Sequence, residues 1–228
     1  MQTLFITGGN RGIGLELVKQ SLQNNDVVFC TFRGDTPPDL PLTQEERGRL
    51  TWLQLDVTNG TDLARLPALL VNQPIDILIN NAGVIGPDTQ SYNDMDTQGW
   101  LHTFEVNTIA PLMVTNALLN NLRLSDAPRV VTVSSQMGAL HRESTGMIAY
   151  RSSKAAVNKV MQVLSLELKA QQIVVCPVHP GWVQTDMGGS EADITAEQSA
   201  SGILALARGL TMEDSGKFYT WEGKEHVW

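Results

Sequence analysis

Cysteine is almost missing from this chain. Among 228 residues only Cys30 and Cys176 occur. Each sits in an apolar, strand-like run, VVFC and IVVC, so both read as buried free thiols rather than members of a disulfide framework. Basic residues are also scarce. Sixteen Lys and Arg face twenty-four Asp and Glu, a formal net charge of -8. Broad binding to phosphate backbones needs clustered Lys and Arg, so nucleic acid is not an expected partner. No apolar run reaches the ~18 residues of a membrane span, and no charged stretch leads into an apolar one at the start. A cytoplasmic protein without a membrane partner is therefore expected. The four histidines, His102, His141, His179 and His226, lack metal-ligand spacing, and no metal is expected. Linkers, low-complexity tracts and internal repeats are absent as well. Residues 1–228 thus read as one domain.

What remains is a globular composition. Apolar residues make up 42% and charged residues 18%, enough apolar surface to offset the entropy of ordering the chain. Strand-like and helix-like segments alternate throughout. Gln2–Thr7, Val27–Phe32, Leu50–Leu55, Ile75–Ile79, Arg129–Val133 and Ile173–Val178 read as strands, with Lys217–Trp221 as a seventh. Between them, Ile13–Gln23, Leu63–Val71, Trp100–Leu122, Ile148–Ala170 and Ile194–Arg208 carry apolar residues at helical spacing. Pro111 predicts a kink or break in the long third helix. The charged stretch Gln44–Arg49 reads as a solvated turn. Uniformly apolar strands such as VVFC, DILI and RVVTV fit a parallel sheet buried on both faces. The fold class is therefore α/β, a doubly wound parallel sheet of the Rossmann type.

The first strand runs into Thr7-Gly8-Gly9-Asn10-Arg11-Gly12-Ile13-Gly14. Glycines there allow a tight turn and let backbone N–H groups approach a pyrophosphate at the helix N-terminus. The spacing is G-x-x-x-G-x-G over Gly8, Gly12 and Gly14, not the general G-x-G-x-x-G. The end of the second strand selects the cofactor. An acid there would accept bonds from a ribose 2′-hydroxyl; this chain has Cys30-Thr31-Phe32-Arg33 instead. Arg33, with Arg11 from the glycine loop, suits the 2′-phosphate of NADP(H). Asp35, two residues on, is the counter-signal.

Tyr150 and Lys154 are four residues apart at the start of a helix and share one face. Ser135 closes the fifth strand, and Asn107 lies in the preceding long helix. Strand ends in such a sheet converge on the ligand crevice, so a hydroxyl, a phenol, an ammonium and an amide can meet.

The sequence resembles the short-chain dehydrogenase/reductase family, of the single-domain core type. The resemblance rests on TGGNRGIG at 7–14, LDVT at 55–58, NNAG at 80–83, Asn107, VSS at 133–135, YRSSK at 150–154 and HPGWVQT at 179–185. The segment HPGWVQTDMGG and the ending GKFYTWEGKEHVW further resemble the branch of C-factor-like proteins and small NADPH carbonyl reductases. By that resemblance Tyr150 is the general acid in carbonyl reduction and the base in alcohol oxidation. Lys154 bonds the nicotinamide ribose and eases the phenol's ionisation. Ser135 holds the substrate oxygen, and Asn107 binds a water in a relay to Lys154. Besides Gly8, Asn10, Arg11, Gly12, Ile13, Gly14 and Arg33, the cofactor would meet Asp56, Val57, Asn81, Ala82, Gly83, Pro180, Gly181, Val183 and Thr185. The implied partners are a small carbonyl or alcohol substrate and further copies of the chain, as homodimer or homotetramer, through the helices at Trp100–Leu122 and Ile148–Ala170.

Ser134 and Ser135 point to opposite faces by strand alternation, and the family pattern selects Ser135. His141 and Arg142, in the loop before Tyr150, read as solvated or as contacts for an acidic substrate. Trp182 and Met187 read as packing or as the substrate mouth. A dinucleotide-binding sensor or C-factor-like signalling protein on the same fold is the alternative function. Such proteins commonly lose the tyrosine or lysine, and both are present. An isomerase or dehydratase would need other acid–base groups, which the sequence does not offer.

Overall fold

The computed structural model describes residues 1–228. Seven parallel strands form the central sheet: β1 (Thr3–Ile6), β2 (Val27–Phe32), β3 (Leu50–Gln54), β4 (Ile77–Asn80), β7 (Arg129–Val133), β8 (Val174–His179) and β11 (Tyr219–Thr220), in spatial order β11-β8-β7-β4-β1-β2-β3. The order reverses beside β1, between β4 and β2. That is the switch point at which a crevice opens beyond the strands' carboxyl ends. Two small ladders lie outside the sheet: the hairpin β5 (Gln90–Ser91) with β6 (Asp94–Met95), and β9 (Val183–Gln184) with β10 (Ile194–Thr195).

Alternation along the strands divides the core into two layers. Leu4, Ile6, Val28, Cys30, Val131 and Cys176 face one side. There they pack against α1 (Gly12–Gln23) and α8 (Ala196–Gly209). Phe5, Leu78, Val130 and Val175 face the other side. That side is covered by α3 (Gly60–Leu69), α5 (Ala110–Ala117) and α7 (Ile148–Glu167). Both cysteines are free and buried. No helix is long and apolar enough to cross a membrane.

Two segments differ from the sequence expectation. Gln44–Arg49 is a helix, α2, with no buried residue. A capping box holds it: Thr43 Oγ1 accepts from the Glu46 N–H, and the Glu46 carboxylate accepts from the Thr43 N–H. The long helix expected at Trp100–Leu122 is instead α4 (Thr97–Phe104), a π turn over Glu105–Ile109, α5, and α6 (Leu119–Leu122). The break is that π turn, ahead of Pro111, which sits in the first turn of α5 where its missing N–H costs nothing.

Candidate active site

The turn after β1 is stitched to the end of β4. Thr7 Oγ1 accepts from the backbone N–H groups of Asn81 and Ala82, each at 3.0 Å. The Asn81 amide donates to the Thr7 and Gly8 carbonyls, also at 3.0 Å. Gly8 has φ +68 and Gly12 φ +53, left-handed values that favour glycine. A Cβ on Gly14 would strike the Gly8 carbonyl and come within 2.6 Å of Asn81 Nδ2. Helix α1 thus begins against the strand ends, with its free N–H groups turned to the crevice.

That crevice is a groove of about 430 Å³, the size of a small-molecule site. Gly8, Asn10, Arg11, Gly12, Ile13 and Gly14 form one wall, with Thr185 against Gly12; Arg33, Val57, Asn81, Ala82 and Gly83 continue it, and Tyr150, Lys154 and Pro180 also line it. Three residues expected there lie off its lining. Asp56 accepts from the Thr58 N–H and hydroxyl at 2.9 and 2.8 Å. Gly181 makes a turn at φ +89 against Ile194 and Trp221. Val183 is buried and pairs with Ile194. The lining also includes Thr31, Val84, Val106 and Gln184, which the sequence reading left out. Thr31 was detectable as the strand neighbour of Arg33: its hydroxyl accepts from the Gly8 N–H at 3.0 Å, and its carbonyl from Gly9.

Both arginines at the groove mouth hold carboxylates. Arg11 pairs with Asp186 at 2.7 Å and Arg33 lies 4.0 Å from Asp56, with the guanidinium side chains 62% and 56% exposed. Burial raises the Asp56 carboxyl, but the Thr58 bonds and Arg33 together bring it below its ordinary value. Exposed pairs are held weakly, so either guanidinium can turn to an incoming phosphate. The glycine cradle and these two cations fit an adenine dinucleotide carrying a 2′-phosphate.

The two serines after β7 have different partners. The Ser134 hydroxyl donates to Asn158 Oδ1 at 2.5 Å, into the packing against α7. Ser135 Oγ accepts from the Met137 N–H at 3.1 Å, and its hydroxyl stands near enough to the Tyr150 phenol to pull its ionisation down. Ser135 itself is off the groove lining, whereas Ser134 is on it. Tyr150 and Lys154 share the inner face of α7, both buried. Burial raises the Tyr150 phenol, against which the Ser135 hydroxyl pulls down. Burial also lowers Lys154 to about 8. Lys154 Nζ lies 5.8 Å from the Tyr150 ring centroid and donates to the Val133 carbonyl at 2.9 Å.

Asn107 sits in the π turn. Its Oδ1 accepts from the Val84 N–H at 2.9 Å, and its Nδ2 donates to the Val84 carbonyl and to Ser153 Oγ at 2.8 and 3.0 Å. The amide group is thus committed to holding the loop after β4. A Cβ at Gly83 would stand 3.3 Å from Asn107 Oδ1 and 3.7 Å from Lys154 Nζ, so these two groups flank that glycine. All four of the expected catalytic residues, Asn107, Ser135, Tyr150 and Lys154, come together.

The family model described as "short chain dehydrogenase" matches residues 2–195. The chain belongs to that family. It is 43% identical over 156 residues to C-signal of Myxococcus xanthus, covering 68% of this chain and 93% of that protein. Among solved structures, the NADPH-bound carbonyl reductase from chicken fatty liver superposes with a TM-score of 0.88 at 28% identity, covering 100% of this chain and 99% of the other. A short-chain dehydrogenase/reductase from Burkholderia multivorans with bound NADP gives a TM-score of 0.90 at 27% identity, with 100% and 99% covered.

Around the active end of this short-chain dehydrogenase, the remaining polar side chains have protein partners or none. His141 Nδ1 lies 3.1 Å from the Trp228 carbonyl, and Arg142 donates to Gln136 Oε1. Met187 lines the groove. Trp182 donates to the Gly188 carbonyl at 2.8 Å and so braces the segment that carries Met187. His179, at the end of β8, is buried with Nδ1 unpartnered. Burial first, then His226 and Arg142, lower it to about 4, so it is neutral near pH 7.

Proposed function

We propose that this chain is an NADP(H)-dependent reductase that converts an aldehyde or ketone to an alcohol, reversibly. The observation that carries the reading is the buried Tyr150–Lys154 pair on the lining of the glycine-walled groove, with Ser135 near the phenol. NADPH, when bound, supplies the hydride. The chain's own residues handle the oxygen. The Ser135 hydroxyl donates to the carbonyl oxygen and stabilises its developing charge. Tyr150 then passes its phenolic proton to that oxygen, and the Lys154 ammonium favours the phenolate left behind. In the oxidative direction the phenolate is the base. The relatives with NADPH or NADP bound support the cofactor, and so do Arg11 and Arg33 at the groove mouth.

The test is the initial rate of NADPH oxidation against a panel of aldehydes, ketones and quinones, with NADH in parallel. Turnover with NADPH preferred is the expected result. Replacing both Arg11 and Arg33 with Ala is expected to weaken NADPH about 10²-fold while moving NADH less than about threefold. Each lost charge-assisted bond is worth roughly 1.5 kcal/mol or more, and only NADPH carries the phosphate. Equal losses for both cofactors would sink the assignment of the two arginines. The identity shared with C-signal favours a second reading, a signalling protein that binds the same dinucleotide. Tight NADPH binding without turnover of any carbonyl would select it.

The chain is further proposed to work as a homodimer or homotetramer. Leu101, Ile109 and Met113 on the α4–α5 stretch are 58%, 51% and 44% exposed, and Val163 and Leu166 on α7 are 43% and 70% exposed. These apolar side chains lie on helices that pack beside one another, where a second copy would cover them. Light scattering is expected to give at least twice the chain mass, and Leu101→Glu with Leu166→Glu to give monomer. A monomeric parent would refute this.

A further inference from the structure

Helix α7 carries Tyr150 and Lys154 but starts without a local cap. Met147, before its first residue, is in the left-handed region at φ 52, and no side chain there caps the helix. The first N–H groups of a helix have no partner within it. Arg151 N–H reaches the Met147 carbonyl at 2.9 Å. The Tyr150 N–H, one residue earlier, is met from sixty residues away: Gln90 Oε1 accepts it at 3.1 Å.

Gln90 has no freedom left in its side chain. Its Nε2 donates to the Ile85 and Pro87 carbonyls at 3.1 and 2.9 Å. With the Tyr150 bond, both its N–H donors and its oxygen are engaged. The amide lies in the space that Gly86 leaves open. A Cβ on Gly86, already at φ +97, would stand 3.1 Å from Nε2 and 3.3 Å from Oε1. The loop concerned continues directly from Asn81–Val84, which lines the groove. Asn107 clamps that loop at Val84. Gln90 clamps its other end to the first turn of α7.

We infer that Gln90 is a positioning residue: it caps the Tyr150 N–H and so fixes the catalytic phenol relative to Ser135 and to the wall of the cofactor groove. It touches neither cofactor nor substrate in this scheme and acts through the Tyr150 backbone. Small displacements of a proton donor cost rate more than affinity, because alignment matters most at the reacting atoms. The inference rests on the proposed role of Tyr150, so one readout must be independent of turnover.

That readout is hydrogen exchange of the Tyr150 amide, measured on the full-length protein with and without saturating NADPH. In Gln90→Leu the Tyr150 amide is expected to exchange at least tenfold faster than in the parent, while amides in the middle of α7 stay unchanged. In the same variant kcat for carbonyl reduction is expected to fall about tenfold, with the KM for the carbonyl and the Kd for NADPH within about twofold. Gln90→Glu keeps an acceptor for the Tyr150 N–H but sets an oxygen against the Ile85 and Pro87 carbonyls, so it is expected to keep most of the amide protection and to recover kcat only in part. Parent-like protection of the amide in Gln90→Leu would overturn the cap itself. Faster exchange with unchanged kcat would overturn the positioning role. If Tyr150→Phe retained activity, the reading of the site would fail while the exchange result still stood. A Gln90→Leu protein that does not fold leaves Gln90→Glu to decide: loss of kcat as deep as in Tyr150→Phe, with the amide still protected, would refute the inference.

Discussion

Tyr150→Phe is expected to lower kcat for carbonyl reduction on the order of 10³-fold, with the Kd for NADPH within about twofold. The substitution removes one oxygen and keeps the ring. Tyr150 is 8% exposed and sits under the Lys154 ammonium, so Phe fills the same space and α7 is undisturbed. What disappears is the phenolic proton near Ser135. General acid catalysis by a positioned group supplies roughly 10²–10⁴-fold, and the Ser135 hydroxyl alone can polarise a carbonyl but has no comparable acid behind it. Substrate KM is expected to rise little, because Ser135 keeps its place as the cap of Met137. Rates with the parent and the variant, measured at saturating NADPH and pH 7, decide the point. A loss under tenfold would mean that the proton comes from elsewhere, and water entering beside Ser135 would be the next source to examine. A matching loss in NADPH affinity would mean that the phenol's main work is in binding.

Much of this site was visible in the sequence because its chemistry is tied to backbone geometry. Gly8, Gly12 and Gly14 announce a turn that other residues cannot make, and Tyr150 with Lys154 announce one helical face. Strands Val27–Phe32 and Arg129–Val133 lie where their β-rich runs predicted, since uniformly apolar runs have only a buried central strand to form. The elements that were missed have weak local signals. Helix α2 buries nothing, so it shows no apolar period, and only its capping box marks it. The π turn at Glu105–Ile109 comes from the tertiary demand that Asn107 reach Val84, which no window of neighbouring residues encodes. The hairpin Gln90–Met95 is two residues a side, too short for alternation to register. Gln90 itself looks like any polar loop residue until the fold brings it to Tyr150. Asn107 was legible as a member of the group, but its amide bonds to Val84 and Ser153 depend on that same π turn.

Lys154→Met is expected to lower kcat/KM for NADPH-linked reduction on the order of 10²-fold at pH 7, and the deficit is expected to shrink as pH rises. Burial lowers Lys154 to about 8 in the unliganded protein. A cation with a depressed value loses its charge as pH climbs through that value, so the parent should carry a falling alkaline limb centred near pH 8. Tyr150 shifts the other way and stays protonated across the limb, which keeps the general acid competent and leaves Lys154 as the titrating group. The variant has no such charge to lose. Its profile should be flat from pH 7 to 9, closing on the parent from below. The profile of kcat/KM reports the free enzyme and that of kcat the bound complex. Dinucleotide phosphates in the groove favour the ammonium, so the limb in kcat should lie at higher pH than the limb in kcat/KM. The same alkaline limb in Lys154→Met as in the parent would assign it to another group. A deficit independent of pH would mean that Lys154 works by packing and by its bond to the Val133 carbonyl rather than by its charge.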